Sequence, residues 1–247
     1  MIDIGRALQH PFQDQDWPRK IGLGALILCV PILNFAAYGY LLEHLRNTQR
    51  GADLPLPEWS GTLGDKFTEG LKYFVVVLIY SLPIVLLSCI LSVAFGGVAA
   101  LSSRSGNNSD AASVAGAGVG ILSLAFLCLI FLYALFLFYV YPALTIRFAQ
   151  TRDIGACLQL GEIFALARRN TGDYVLIFVV LFGINFVAGL VSSVLISTLI
   201  LACIGLPLAV IAQAYTNIVA GYLCGQYARD TSLSGSGTPG MPVTPVA

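Results

Sequence analysis

The side chains able to do chemistry are few and badly placed for it. The chain holds two histidines, His10 and His44, and six cysteines, Cys29, Cys89, Cys128, Cys157, Cys203 and Cys224, with no CxxC pair. A zinc centre draws three or four nitrogen, sulfur or carboxylate ligands from the protein, and a Ser-His-Asp arrangement needs an imidazole beside its nucleophile, so neither has material here. Five of the cysteines lie inside apolar runs, where a thiol packs as a small hydrophobe, and no disulfide framework is indicated. Glu43 and His44 close one such run and read as solvated helix-end residues. No Asp, Glu, Lys, Arg or His falls within the cores of the runs, which leaves them without an acid–base pair for catalysis or a relay for coupled transport. The expectation is a non-enzymatic chain without metal or cofactor.

Polar but neutral residues do occur in the runs, chiefly Asn34, Asn185, Gln213 and Asn217. They suit either the lining of a path for a small neutral solute or interhelical hydrogen bonds worth about 0.6 kcal/mol each, and packing is the commoner use. Gly116-x-x-x-Gly120 and Gly221-x-x-x-Gly225 allow close backbone approach, here expected within one bundle. Outside the runs, Leu54-Pro55-Leu56-Pro57-Glu58-Trp59 and the basic pair Arg168-Arg169 combine stiff backbone, aromatic area and charge. Pro55, Pro57, Glu58, Trp59, Arg168 and Arg169 are therefore the candidate contacts for a partner.

The elements that must position these groups follow from composition. Hydrophobic residues make up 57% of the 247, charged residues only 11%, and mean hydropathy is +0.82; soluble domains carry about 25% charged residues, so the chain reads as an all-α integral membrane bundle. With 13 Lys+Arg against 13 Asp+Glu the net charge is zero, and nucleic acid is excluded as a partner. Four charge-free stretches, 21–42, 73–103, 111–146 and 174–228, are long enough for five crossings at about 1.5 Å per residue, the last being divided near Gly205-Leu206-Pro207. The expected helices are 20–43, 71–101, 114–147, 174–204 and 206–228. Amphipathic surface helices are expected after Ser60 and after Asp153.

Residues 1–19 form a mixed-charge leader rather than a signal peptide, 20–229 a single transmembrane domain, and 230–247 a Gly/Ser/Thr/Pro tail expected to be disordered. Five crossings set nine Lys/Arg on one side against four on the other, which by the positive-inside rule orients loops 44–72 and 147–173 to the cytoplasm of a multi-pass cell-membrane protein. Pro31 and Asn34 offer an alternative, in which 21–42 folds as a re-entrant hairpin and the division becomes twelve against one.

Gly39-Tyr40-Leu41, Arg46, Leu54-Pro-Leu-Pro-Glu58-Trp59, Phe67, Gly70-Leu71-Lys72, Tyr80-Ser-Leu-Pro83, Gly205-Leu206-Pro207 and Gly221-Tyr222-Leu223-Cys224-Gly225-Gln226-Tyr227 resemble domain of unknown function 4013, a prokaryotic family of multispanning membrane proteins. The resemblance covers roughly residues 5–229 and implies an architecture, with no catalytic residues to carry over. The function expected is engagement of the bilayer and of another membrane or cytoplasmic protein through the cytoplasmic loops; the alternative is a channel or carrier for a small neutral solute.

Overall fold

A computed structural model describes the backbone of residues 3–52, 54–104, 109–197 and 199–235, and their side chains apart from 94–104, 109–119, 121–122, 196, 199–202, 204 and 233–235. Every described element is helical. α1 (Ile4–Gln9) passes through a 3-10 turn (His10–Gln13) to α2 (Trp17–Cys29) and α3 (Asn34–Gln49); α4 (Leu63–Arg104) and α5 (Ser109–Thr151) follow, then α6 (Ile154–Cys157), α7 (Leu160–Arg169), α8 (Thr171–Ile196) and α9 (Leu199–Gly235). Contacts divide the chain into one unit of residues 1–75 and 141–247 and a second of 76–140. In the second, Tyr133 Oη donates to the Tyr80 carbonyl at 2.8 Å.

Among the described residues, four helical stretches are long and apolar enough to cross a membrane: Leu63–Val93, Ser123–Thr151, Thr171–Leu195 and Gly205–Ser232. The fifth expected crossing, over 21–42, is not formed. Pro31 bars helical backbone at the residue before it, and Val30 is extended at φ −98° and ψ 111°. The chain turns through Pro31–Leu33 and restarts as α3, giving two helices of 13 and 16 residues that at about 1.5 Å per residue are each too short to span roughly 30 Å. They form a hairpin: His10, before α2, and His44, late in α3, have ring centroids 5.3 Å apart. The exposed turn carries Val30 and Ile32, as a lipid-facing tip would.

Three further expectations are corrected. The segment after Ser60 is no separate surface helix but the first turns of α4, and its buried side chains are Lys66 and Tyr73. What sets this register is a backbone crossing: a Cβ on Gly39 would fall on the Lys66 carbonyl, and one on Gly70 on the Phe35 carbonyl, so α3 and α4 meet where neither has a side chain. The helix after Asp153 is divided into α6 and α7, Asp153 capping the first through the amides of Gly155 and Ala156 at 3.2 Å each. The break expected at Gly205-Leu206-Pro207 lies instead between Ile196 and Leu199, and Pro207 sits inside α9, a position that membrane helices tolerate.

The leader is part of the fold. Ala7, His10, Pro11 and Asp14 are buried. At the other end α9 runs on to Gly235, with Thr231 buried and its hydroxyl on the Tyr227 carbonyl; the remainder of the expected tail, 236–247, and residues 105–108 of the loop between α4 and α5 lie outside the described residues.

Candidate functional site

The two polar loops meet at one cleft. Its walls are the end of α3 with Glu43, Arg46, Asn47 and Arg50, the start of α4 with Asp65, Lys66, Thr68 and Glu69, Thr62 ahead of α4, and Arg152 directly after α5; its volume is about 470 Å³. Arg46 grips Glu69 with both terminal nitrogens, at 3.2 and 2.5 Å. Arg152 Nε reaches the same carboxylate at 3.3 Å. Lys66, itself buried, pairs with Glu43 at 2.8 Å and donates to the Glu58 carbonyl at 2.6 Å. Two arginines thus converge on one carboxylate, and Arg50, exposed on the rim, adds a third positive group. Four cationic side chains against Glu43, Asp65 and Glu69 leave the cleft with a small positive excess, suited to an anionic group presented from outside.

Arg152 holds an uncommon backbone conformation, φ 54°, the left-handed region that usually falls to glycine at a helix C-terminus. Residues in sparsely populated backbone regions cluster at functional sites, and Arg152 stands on the wall of this cleft.

The same ionic layer continues to the leader. Lys20 Nζ, 3% exposed, contacts Asp14 at 2.9 Å, Glu58 at 3.0 Å and the Leu56 carbonyl at 2.8 Å, while the Leu56 amide donates to Asp14 at 2.7 Å. Burial by itself would raise the Asp14 carboxyl, but the Lys20 ammonium and the amides of Asp16 and Leu56 outweigh it and hold the group below its ordinary value. Burial likewise opposes the charge on Lys20, and Asp14 and Glu58 outweigh it, so its pKa is raised. Both partners favour the ionised pair.

This pair seats the proline motif. Leu56, Pro57 and Trp59 turn inward, while Pro55 and Glu58 are exposed. Trp59 is 7% exposed; its ring stacks on Tyr40 at 4.3 Å and its Nε1 donates to the Lys20 carbonyl at 2.9 Å. The indole is used inside the chain. Arg168 and Arg169 are exposed at the end of α7, and neither lines the cleft.

Of the glycine pairs, Gly221 and Gly225 face α3. A Cβ on Gly221 would stand 3.1 Å from the His44 ring, and one on Gly225 2.6 Å from Thr48 Cβ. Gly120 has open space at that position; the surroundings of Gly116 lie outside the described residues. The intramembrane amides do not converge. Asn185 donates to the carbonyl of Leu181 in its own helix at 2.8 Å, Gln213 bonds Asn217 one turn along at 3.3 Å, and Asn34 is half-buried at the start of α3.

Sequence reasoning missed Asp14, Lys20, Lys66 and Glu69, whose roles depend on partners distant in the chain. It also kept the histidines apart. His10 and His44 are both fully buried beside Tyr222, with His10 stacked on that ring at 4.1 Å. Burial first, and His10 second, push the His44 imidazole down to about 3. Among the described residues no cluster of three or more His, Cys, Asp or Glu is placed to hold a metal.

No curated protein and no solved structure matches the chain significantly. Residues 22–197 match the family model described as Protein of unknown function (DUF4013), and the chain, a multispanning helical membrane protein by its four apolar helices, belongs to that family.

Proposed function

We propose that the protein is a non-enzymatic component of the cell membrane that engages an acidic segment of a partner protein at the cleft between α3, α4 and α5. The observation that carries this reading is the convergence of both polar loops on a single open cleft whose arginines outnumber the carboxylates they bind. Arg46 and Lys66 are fixed by buried or half-buried partners, whereas the guanidinium of Arg50 and the 61% exposed side chain of Arg152 remain accessible. Planar guanidinium groups recognise carboxylates in two-point contacts, which gives orientation as well as attraction.

A photo-crosslinking residue at position 50, in native membranes, tests the reading. The expected result is one protein adduct, lost on Arg152→Glu and absent when the crosslinker stands at the exposed position 169. Equal adducts from positions 50 and 169 overturn it. The carrier alternative requires that purified protein in vesicles move a neutral solute saturably and that Asn185→Leu or Gln213→Leu stop the movement. The separate hydrogen bonds of those two amides lend it no shared binding site.

A further inference from the structure

We propose that Arg168 and Arg169, together with the exposed leucines ahead of them, bind the phosphate headgroup of an anionic phospholipid in the leaflet at which α8 begins. From Thr171 onward α8 is long and apolar enough to cross a membrane, and the two arginines close α7 directly before it. Their level is therefore set by the chain itself: they stand at the end of a crossing helix, in the headgroup layer. Asn170, at φ −142° and ψ 79°, breaks the helical backbone at the junction, so α7 does not continue the line of α8. The anionic group that the membrane offers at this level is a lipid phosphate.

Charge and apolar surface both fit this ligand. Arg168 and Arg169 are exposed, and among the described residues neither guanidinium forms an ion pair. The acids nearest in the chain are engaged elsewhere: Glu162 faces Arg147 at 3.6 Å, and Asp173 accepts from the side-chain amide of Asn170. One face of α7 is held by the chain, with Ile163, Leu166 and Ala167 buried and the Leu166 carbonyl accepting from Tyr227 Oη at 2.8 Å. Outside that face, Leu158 and Leu160 stand 46% and 45% exposed. Leu160 and Arg168, about two turns apart, share one side of the helix. Leucines beside arginines on a short helix next to a crossing describe an element that lies in the headgroup layer, its apolar side chains at the acyl boundary and its cations on phosphate. A guanidinium recognises phosphate by two-point contact. The leucines distinguish a lipid from a soluble anion or an acidic peptide, because they gain only from a ligand that brings its own apolar medium.

Delipidated full-length protein in detergent is offered equal amounts of palmitoyl-oleoyl phosphatidylglycerol and phosphatidylcholine, and retained lipid is read by native mass spectrometry. Wild type should prefer phosphatidylglycerol, and the double variant Arg168→Gln, Arg169→Gln should retain it about thirtyfold more weakly, as expected when two basic groups leave an anionic surface. Leu158→Ser with Leu160→Ser should weaken retention with the charge untouched. Arg50→Gln, on the rim of the cleft, should leave it unchanged, so the headgroup site and the role of the cleft fail separately. Glycerophosphoglycerol, the headgroup without its chains, should not displace the lipid at millimolar concentration. Equal retention by wild type and the double arginine variant overturns the proposal. So does an equal loss in Arg50→Gln, which would reduce the attraction to net charge, or displacement by the free headgroup, which would make the ligand a soluble phosphate. A protein adduct from a photo-crosslinker at position 169 in native membranes also overturns it, since the arginines would then face an acidic protein segment.

Discussion

The Trp59 indole nitrogen donates to the Lys20 backbone carbonyl at 2.9 Å, tying the proline motif to the first turns of α2. The same ring stacks on Tyr40 of α3, so one side chain joins the motif to both arms of the hairpin. Removing a buried aromatic costs about 3 kcal/mol or more. Trp59→Ala should therefore lower the melting temperature in detergent markedly, and Trp59→Phe, which keeps the stack and loses the hydrogen bond, should lower it less. Unchanged melting of Trp59→Ala would return the ring to a docking role.

How far the chain could be read from its sequence depended on the range of each interaction. Asp153 acts on its immediate neighbours and was legible as a cap; Pro31 also acts locally, yet its break of α2 from α3 was read only as the alternative to one crossing over 21–42, because the length and apolarity of that run pointed to a full span. The apolar runs that form α8 and most of α9 were legible, since composition alone decides them. Gly39 and Gly70 were not, because a glycine announces freedom of backbone without naming what comes close. Nor were Asp14 and Lys20, whose buried pairing needs the Leu56 amide and carbonyl from another part of the chain. The cleft was half visible: its two loops could be listed as basic and polar, but the bidentate Arg46–Glu69 contact that brings them together is tertiary.

Stability should fall with acid through His44. Its imidazole is held down to about 3 in the folded chain, against an ordinary value of 6.5. A group whose folded pKa is depressed contributes fully above its unfolded pKa, and that contribution is lost as pH falls from 6.5 toward 3. The rings of His10 and Tyr222 lie against it, and among the described residues neither of its ring nitrogens has a hydrogen-bond partner. Between pH 6.5 and 5 the loss should be about 2 kcal/mol, from roughly 1.4 kcal/mol per unit. Melting curves across this range should show the decline, and His44→Gln should flatten it; an equal slope in both proteins would remove His44 as the cause.

Arg152→Gly should separate stability from binding. Its φ of 54° costs an L-residue about 1 kcal/mol that glycine does not incur, while its exposed contact with Glu69 is worth little in water. The variant should melt slightly higher than wild type and yet give less of the adduct from position 50. Arg152→Ala should lose the adduct without the gain in stability. A lower melting temperature for the glycine variant would show that the left-handed backbone is not strained here.

The hairpin also bears on which way the chain would face. Had 21–42 crossed as one helix, about 33 Å would separate its ends, yet the His10 and His44 rings are 5.3 Å apart, so the leader and the loop after α3 share one end. We propose that the four apolar helices each cross once, which would return the carboxyl end to the side of the amino end. In that arrangement 12 of the 13 Lys+Arg would share one side and Arg104 would stand on the other, and the positive-inside rule would make the shared side cytoplasmic. In a cysteine-free background, a cysteine at the exposed position 9 should resist an impermeant thiol reagent in intact cells and react once the membrane is opened. A cysteine at the exposed position 197, directly after α8, should react in intact cells. Labelling at position 9 in intact cells would mean that the amino end lies outside, and the orientation argued from the hairpin would fall.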